Sequence, residues 1–271
     1  MRTILFFLLA ALLCNCSSQK ALHRTGDISA VKNITVLSYN IHHANPPSKT
    51  GVIDMDAIAN VINQQQPDVV ALQEVDVHTN RSGTSLHQAE ELAKLTGMKA
   101  YFAKAIDYDG GEYGVAILSK YPMEDMKNTP LPTDDATNGE HRTLATAVIR
   151  LPGNKKVLFA CTHLDAQRAD TNRQLQIKKI LEILKQETLP VIIAGDLNAE
   201  PTSDVIKQFD NHFTRSCMVD CPFTIPEVHP NKTIDYIAFA PASIFTVVSH
   251  SVVDEKYASD HRPVKTILKL K

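Results

Sequence analysis

The sequence predicts an α/β fold in which two mixed β-sheets pack against each other and helices cover their outer faces. Short apolar runs of strand type recur along the 271 residues, some separated by amphipathic helical segments and others following one another directly. A simple alternating barrel would place a helix after every strand, so this mixed order favours two packed sheets. The 44% hydrophobic content and 21% charged content are typical of a folded domain with a sizeable core.

The strand-type runs are short and rich in β-branched or aliphatic residues. Several are continuous apolar runs, which is typical of strands buried on both faces. The predicted strands are residues 34–40, 69–72, 115–118, 146–149, 157–162, 191–194, 234–239, 245–248 and 264–268.

Three helices are predicted from apolar periodicity and from their start and stop signals. The first covers residues 54–65 and ends before Pro67, and the second covers residues 85–95 and ends at Gly97. Asp170 is the expected N-cap of the third, whose predicted core face includes Leu175, Ile180, Leu181 and Leu184. Residues 121–142 contain three prolines and are predicted to form an exposed loop beside the functional site.

The N-terminus has the features of an export signal. Arg2 precedes an apolar run, residues 4–13, that is too short to span a bilayer as a mature helix. The following residues resemble a bacterial lipoprotein cleavage site, with Cys16 as the lipidated residue, although Asn15 is unusual before it. Ordinary secretory cleavage and a retained membrane anchor are the alternatives.

These features divide the chain into three parts. Residues 1–16 are the predicted signal peptide with its lipoprotein site, residues 17–31 a polar tether, and residues 32–271 a single domain. The protein is therefore expected outside the cytoplasm of a bacterium, either in the periplasm or anchored to a membrane. It is also expected to be a monomer.

The cysteines and the net charge limit the possible ligands. Cys217 and Cys221 enclose three residues and are expected to form a loop disulfide in an exported protein. The alternative is a zinc site with His212 and His229, but that spacing matches no compact zinc pattern.

The net charge of −2 gives nucleic acid no special support as a partner.

Polar residues stand at the borders of six predicted strands. If the later strands run antiparallel to the earlier ones, all six clusters meet at one rim of the sheets. The clusters are Tyr39-Asn40, Gln73-Glu74, Thr162-His163, Gly195-Asp196-Leu197-Asn198, Asp235-Tyr236 and Ser259-Asp260-His261.

The set contains the carboxylates Glu74, Asp196, Asp235 and Asp260 and the amide oxygens of Asn40 and Asn198. Such oxygen-rich sites suit Mg²⁺, with Mn²⁺ and Ca²⁺ as alternatives. His163 and His261 do not indicate zinc, because no third soft ligand accompanies them in these clusters. Asp196 and Asn198 are two residues apart, so both point the same way on an extended segment. Gly195 leaves room for a phosphate to approach the backbone.

The same clusters, taken in order with Ala116-Ile117-Leu118-Ser119, resemble the motifs of the endonuclease/exonuclease/phosphatase superfamily. This group includes deoxyribonuclease I, exonuclease III-type repair enzymes, sphingomyelinases, deadenylases and inositol-polyphosphate 5-phosphatases. The resemblance covers residues 34–268. It implies a four-layer, deoxyribonuclease I-like sandwich and Mg²⁺-dependent hydrolysis of a phosphate ester by in-line attack of an activated water.

The resemblance also implies a role for each matching residue. Glu74 would be the main metal ligand, assisted by Asn40 and Asp260. Asp196 would orient or deprotonate the water, and Asn198 would hold a phosphate oxygen. The remaining expected roles are hydrogen-bond donation to the transition state by His163 and by His261, orientation of His261 by Asp235, and a phosphate contact by Arg142.

Each of these residues also has a structural interpretation. Asn40 and Asp235 suit strand-end turns, Asp196 and Asn198 suit an Asx turn, and Glu74 suits a surface position. His163 alone would be interpreted as a packed core histidine, and Arg142 as a member of an ion pair. His42 has two equally open interpretations, as a residue that lines the substrate or as a structural one.

The match departs from the family pattern at Val115, where many members have Asn, which places one substrate contact in doubt. Residues 76–83, with Arg81, resemble a bacterial subgroup of metal-dependent hydrolases. The substrate therefore stays open among nucleic acid, phospholipid head groups and sugar phosphates. The alternative function is a binding lipoprotein that keeps the fold without catalysis.

Overall fold

The structure, a computed structural model, describes residues 33–271, which form twelve strands and four α-helices. The predicted signal peptide, the predicted tether and Cys16 lie outside the described residues. The elements are β1 (Asn33–Asn40), α1 (Met55–Gln65), β2 (Val69–Val77), α2 (Gln88–Thr96), β3 (Lys99–Tyr108), β4 (Gly111–Ser119), β5 (Met123–Pro130), β6 (Thr143–Arg150), β7 (Lys156–His163), α3 (Thr171–Leu184), β8 (Val191–Asp196), α4 (Asp204–Asp210), β9 (Thr214–Arg215), β10 (Asp235–Ala240), β11 (Phe245–Val252) and β12 (Val264–Leu270).

The strands form two mixed sheets of six strands each. The first sheet has the order β11-β12-β1-β2-β4-β3, and the second has the order β5-β6-β7-β8-β10-β9. β1 and β2 are parallel, as are β7 and β8, whereas β12 is antiparallel to β1 and β10 is antiparallel to β8. The predicted architecture of two mixed sheets is confirmed.

Three hydrophobic layers hold the sheets and helices together. On the outer face of the first sheet, Ile58 of α1 and Leu92 of α2 belong to one core with Leu37 and Leu72. On the outer face of the second sheet, α3 and α4 contribute to another core with Leu158. The third core lies between the sheets. The order helix, sheet, sheet, helix is the predicted four-layer sandwich.

Small side chains are common between the two sheets. Ala71 and Ala103 of the first sheet and Ala145, Ala147 and Ala194 of the second are all buried in this layer. Because alanine adds only one methyl group to the backbone, such residues allow two sheets to approach closely where larger neighbours fill the remaining space.

The helices begin and end close to the predicted positions. Asp54 caps α1 by accepting from the backbone N–H of Ala57 at 3.0 Å. α2 begins at Gln88, three residues later than predicted, because His87 supplies its cap. Asp170 precedes α3, but its side chain makes no capping bond and instead accepts from Gln174 Nε2 at 2.9 Å.

Two details of the prediction are wrong. Leu175 does not belong to the core face of α3, since it is 39% exposed. Residues 121–142 are not a continuous loop, because Met123–Pro130 forms β5, an edge strand paired with β6. Its mostly polar sequence gives no apolar signal, since an edge strand needs only backbone hydrogen bonds on one side. The loop proper begins after Pro130.

Cys217 and Cys221 are joined in a disulfide, with their Cα atoms 5.7 Å apart, which confirms the prediction. The two sulfurs are therefore not thiolate ligands for zinc together with His212 and His229. No helix within residues 33–271 combines the length and the apolar character needed to cross a bilayer.

Gly195 lies where β8 passes close to β7. It pairs with Thr162 in the parallel register, and a Cβ atom at this position would collide with the carbonyl oxygen of Thr162. We expect Gly195→Ala to lower the free energy of unfolding by about 3 kcal/mol, the upper part of the usual range for added core volume, as measured by urea denaturation.

Gly51→Ala is the control for this substitution. No atom lies within 4 Å of the added methyl group there, and only the positive φ of +76° opposes the change. Backbone strain of this kind is worth ~1–2 kcal/mol. Equal destabilisation by the two substitutions would show that the contact with Thr162 does not limit position 195.

Candidate active site

The predicted strand-end clusters meet at one rim of the two sheets. Asn40, His163 and Asp196 lie at the carboxyl ends of β1, β7 and β8. Because β10 runs antiparallel to β8, its first residue, Asp235, is the direct partner of Asp196, and the parallel pairing with β7 places His163 beside Asp196 as well. His261 precedes β12, which is antiparallel to β1. The expected convergence is confirmed.

The side-chain amide of Asn40 connects the two sheets. Its Nδ2 donates to Glu74 Oε1 at 3.0 Å in the first sheet and to Asp196 Oδ2 at 3.1 Å in the second. Its Oδ1 accepts from the backbone N–H of His42 at 3.1 Å. Asn40 is fully buried, and these three contacts determine its orientation. His42 therefore supports the site through its backbone.

Glu74 occupies an irregular position within β2. The register between β2 and β4 shifts between Leu72 and Val75, and Glu74 has a φ of +58°. A bulge of this kind turns a side chain away from the regular pleat, and a left-handed non-glycine residue persists only where its surroundings enforce it. The bulge presents the half-buried Glu74 carboxylate to Asn40.

Asp196 and Asn198 form a tight turn directly after β8. The backbone N–H of Asn198 donates to Asp196 Oδ1 at 2.9 Å, and Asn198 has a φ of +47°. The Asn198 amide donates to the carbonyl oxygen of Leu164 at 3.0 Å. The Asx turn is therefore present, and it places both side chains at the rim.

Asp235 and His261 form a buried ion pair next to Asp196. His261 Nδ1 is 2.9 Å from Asp235 Oδ2, and His261 Nε2 is 3.7 Å from Asp196 Oδ2. Burial alone lowers the pKa of His261, but the charge and hydrogen bond of Asp235 outweigh it and raise the pKa to about 10. The imidazole is thus positively charged at neutral pH, and Asp235 determines its orientation.

Burial is the largest cause that raises the pKa of Asp196, to about 7, and the charge of Asp235 adds to the effect. The charge of His261 and the hydrogen bonds from Asn198 and Asn40 act in the opposite direction. A carboxylate with a pKa near neutrality is suited to accept a proton from water and release it again.

His163 lies between Arg142 and the site. Arg142 Nη1 is 3.2 Å from His163 Nδ1, and His163 Nε2 is 3.5 Å from Asp196 Oδ2. Burial, followed by the charge of Arg142, holds the pKa of His163 well below its usual range. Asn198 Nδ2 also lies 3.0 Å from His163 Nε2. Because a guanidinium and an amide NH₂ only donate hydrogen bonds, each ring nitrogen faces a donor, and the neutral ring accepts from one of them at a time.

Arg142 is buried and also pairs with Glu140, with Nη1 2.7 Å from Oε1. Arg142 contacts Nδ1 of His163, whereas Nε2 of the same ring faces Asp196. Arg142 therefore orients the His163 ring, a role that adds to the predicted phosphate contact. Sequence reasoning missed Glu140, although it stands only two residues before Arg142.

Ser259 is a second residue whose role sequence reasoning missed. It is fully buried, its Oγ donates to the backbone oxygen of Asn40 at 2.7 Å, and it accepts from the backbone N–H of His261 at 3.2 Å. These bonds place the half-buried Asp260 beside Asn40. The only signal in the sequence was the position of Ser259 directly before two predicted site residues.

The site has more negative than positive charge. Within residues 33–271, no lysine or arginine forms an ion pair with Glu74, Asp196, Asp235 or Asp260; the partners of Asp196 and Asp235 are histidines. Clustered carboxylates without such partners fit a divalent cation, and oxygen donors favour Mg²⁺ over zinc.

Two sets of side chains are available to hold a cation. Asp196, Asp235 and His261 present ligand atoms within 4.8 Å of one another. However, His261 Nδ1 is already hydrogen-bonded to Asp235, so this set is better suited to proton transfer and charge stabilisation. The predicted ligands Glu74, Asn40 and Asp260 offer the oxygen atoms that Mg²⁺ prefers.

The sequence profile of the Endonuclease/Exonuclease/phosphatase family matches residues 37–261. YbhP, an uncharacterized protein of Escherichia coli K12, is 26% identical over 250 residues, which cover 87% of this chain and 96% of that protein.

Solved structures show the same fold. An endonuclease/exonuclease/phosphatase from Beutenbergia cavernae superposes with a TM-score of 0.74 at 24% identity, covering 88% of this chain and 72% of that chain. A mannosyl-6-phosphatase of Bacteroides thetaiotaomicron superposes with a TM-score of 0.70 at 21% identity, covering 87% of this chain and 99% of that chain.

The contact between Arg142 and His163 generates a prediction that needs no substrate. At pH 7, ¹⁵N NMR should show a neutral His163 ring. In Arg142→Met, loss of the nearby positive charge should raise the pKa of His163, and loss of the donor to Nδ1 should increase the population of the Nδ1–H form.

Arg150→Met is the matched control, since Arg150 pairs with Glu124 on the exposed surface. Its His163 signals should match those of the unchanged protein. A charged His163 ring at pH 7 in the unchanged protein, or His163 signals that do not change in Arg142→Met, would contradict this interpretation.

Proposed function

Because the chain belongs to the endonuclease/exonuclease/phosphatase family, we propose that it is a divalent-metal-dependent hydrolase of phosphoester bonds. The observation that carries this proposal is the Asn40 bridge, which holds the predicted metal ligand Glu74 and the predicted base Asp196 on either side of one amide group. A structural role alone does not require two carboxylates at the same amide nitrogen, where their charges repel.

The proposed metal is Mg²⁺, with Mn²⁺ or Ca²⁺ as substitutes. Glu74, Asn40 and Asp260 would hold it. When bound, it would stabilise the negative charge that develops on the phosphoryl oxygens.

The other residues have roles that follow from their contacts. Asp196 would accept the proton of the attacking water, and the Asn198 amide would hold a phosphate oxygen. His261, kept protonated by Asp235, would donate a hydrogen bond to the transition state, and His163 would do so in the tautomer that carries its proton on Nε2. Such donors act strongly when they are already aimed before the reaction.

The only free cysteine within residues 33–271, Cys161, is buried, and burial raises the pKa of its thiol to about 12, so it is not a nucleophile.

The substrate is proposed at the level of its chemistry. It carries a phosphate ester, and the fold relative named as a mannosyl-6-phosphatase supports sugar phosphates as one class to test. The net charge of −2 does not favour nucleic acid, which stays a second class. A binding lipoprotein without catalysis is disfavoured because every predicted catalytic side chain is present and oriented toward the others.

We expect the protein, with Mg²⁺, to hydrolyse at least one member of a panel of DNA, RNA, sphingomyelin, bis-p-nitrophenyl phosphate and sugar phosphates. Asp196→Asn and His261→Gln should each lower kcat by at least ~10²-fold, which is the contribution usual for a proton-transferring group. Asp204→Asn is the matched control, since Asp204 is exposed in the first turn of α4.

Calorimetry separates metal binding from catalysis in the same experiment. Glu74→Gln should weaken Mg²⁺ binding, whereas the thermal unfolding temperature should stay close to that of the unchanged protein. Absence of turnover on the whole panel, together with no detectable Mg²⁺ binding, would refute the proposed function.

We also propose that the protein is exported and anchored through a lipid on Cys16. The support is the sequence pattern of residues 1–16 alone. Mass spectrometry of the N-terminus from native membranes should show a diacylated or triacylated Cys16, and Cys16→Ser should release the protein from the membrane fraction. An unmodified N-terminus that begins after Cys16 would contradict the anchor.

A further inference from the structure

Besides His261 and Arg142, a third positively charged group, Arg81, lies on the segment that follows β2. Arg81 donates through Nε and Nη2 to the two carboxylate oxygens of Asp76, at 2.7 Å and 2.8 Å. Asp76 is fully buried and also accepts from Thr79 at 2.9 Å and from Ser82 at 2.6 Å. The backbone N–H of Arg81 donates to Asp109 at 2.6 Å. Both the backbone and the side chain of Arg81 are thereby held in place.

Two tyrosines support the flat face of the guanidinium. The Arg81 Cζ atom lies 4.4 Å from the ring centre of Tyr108 and 5.6 Å from that of Tyr113. An arginine stacked on aromatic rings and fixed by a bidentate carboxylate has little freedom left to lose when it binds a ligand. Its orientation is set before any ligand arrives.

Tyr113 places this group next to the predicted metal ligand. Tyr113 is the direct strand partner of Asp76. It is buried, and after burial the charge of Glu74 is the largest cause that raises the pKa of its hydroxyl. The charge of Arg81 also contributes to the shifted pKa values of His43 and Glu140, which lie on two other segments around the rim. Arg81 is thus held against Asp76, which follows Glu74 by two residues on β2, and against Tyr113, the strand partner of Asp76.

One edge of the guanidinium remains available. The edge formed by Nε and Nη2 is occupied by Asp76, and Nη1 has only a long contact of 3.5 Å with the Tyr108 hydroxyl among the described residues. The Arg81 side chain keeps 28% of its surface exposed. The outer edge, with one N–H on Nη1 and one on Nη2, has the geometry that binds two oxygen atoms of a phosphate or a carboxylate.

We propose that the outer edge of Arg81 is a second oxyanion subsite, which binds a phosphate or carboxylate group of the substrate other than the ester that is hydrolysed. This inference rests on the proposed function and narrows it, since it predicts substrates that carry two oxyanion groups. A purely structural arginine would satisfy Asp76 equally well, but Thr79 and Ser82 already donate to that carboxylate. Hydrogen bonds from Thr79 and Ser82 fix the Asp76 carboxylate, as expected if Asp76 orients Arg81 toward a ligand.

The test compares ligands that differ by one phosphate. Calorimetry on the full chain, without divalent cations, measures Kd for fructose 1,6-bisphosphate and fructose 6-phosphate, and for adenosine 3′,5′-bisphosphate and adenosine 5′-monophosphate. Inorganic phosphate is the reference. Since no turnover is needed, a failure of the proposed hydrolysis leaves the result readable.

In at least one pair, the bisphosphate should bind about tenfold tighter or more, as expected for charge-assisted hydrogen bonds to one oxyanion. In Arg81→Lys, which keeps the charge beside Asp76 but removes the two-pronged edge, this ratio should fall below about threefold. Arg150→Lys is the matched control and should keep the ratio.

Four outcomes would overturn the subsite. The first is equal affinity for bisphosphate and monophosphate in both pairs, and the second is an affinity ratio that survives Arg81→Lys. The third is an Arg81→Lys variant that loses both ligands alike and has a lower unfolding temperature, which would leave Arg81 a purely structural role. The fourth is an Arg81-dependent preference for fructose 6-phosphate over inorganic phosphate without a gain from the second phosphate, which would mean that Arg81 binds hydroxyl groups.

Discussion

The Asn40 amide is the contact on which the rest of the site depends. One nitrogen donates to a carboxylate of each sheet, so the distance between Glu74 and Asp196 is set by a single planar group. Everything that orients Asn40 consequently acts on both carboxylates, including the backbone N–H of His42 on its side chain and Ser259 on its carbonyl oxygen. The site is a property of the junction between the sheets and belongs to neither sheet alone.

Such a junction is electrostatically unfavourable unless its charges are compensated. Asp196 and Asp235 are directly paired across β8 and β10 and are both buried, so they repel each other in a region that water reaches poorly. The protonated His261 offsets part of this repulsion from one side. On the other side, no lysine or arginine among the described residues forms an ion pair with Glu74, and a divalent cation would complete the balance.

Much of this arrangement was predictable, for reasons that differ between residues. Buried strands such as β1 and β8 are continuous apolar runs, and their polar last residues stand out against them. β5 was missed because an exposed edge strand needs no apolar pattern, and Leu175 was misplaced because a helical period alone does not fix where the core face ends. Most site residues were found because they stand at the borders of apolar strand-type runs. The roles of Ser259 and Glu140 and the orientation of Arg81 depend on side-chain contacts that no sequence spacing encodes. The bulge at Glu74 was likewise not predictable, because the sequence Gln73-Glu74-Val75 contains no signal for a left-handed backbone conformation.

The alanines between the two sheets allow the sheets to approach closely, and this spacing also affects the candidate site at the rim. Ala71, Ala145 and Ala194 lie between the two sheets, and the proposed metal ligand Glu74 and the proposed base Asp196 stand on opposite sheets. A larger residue in this layer would push the two halves of the site apart even though it touches neither. The proposed activity should therefore be sensitive to volume changes deep in the core, because a variant that folds stably would still hold the proposed catalytic groups at the wrong separation.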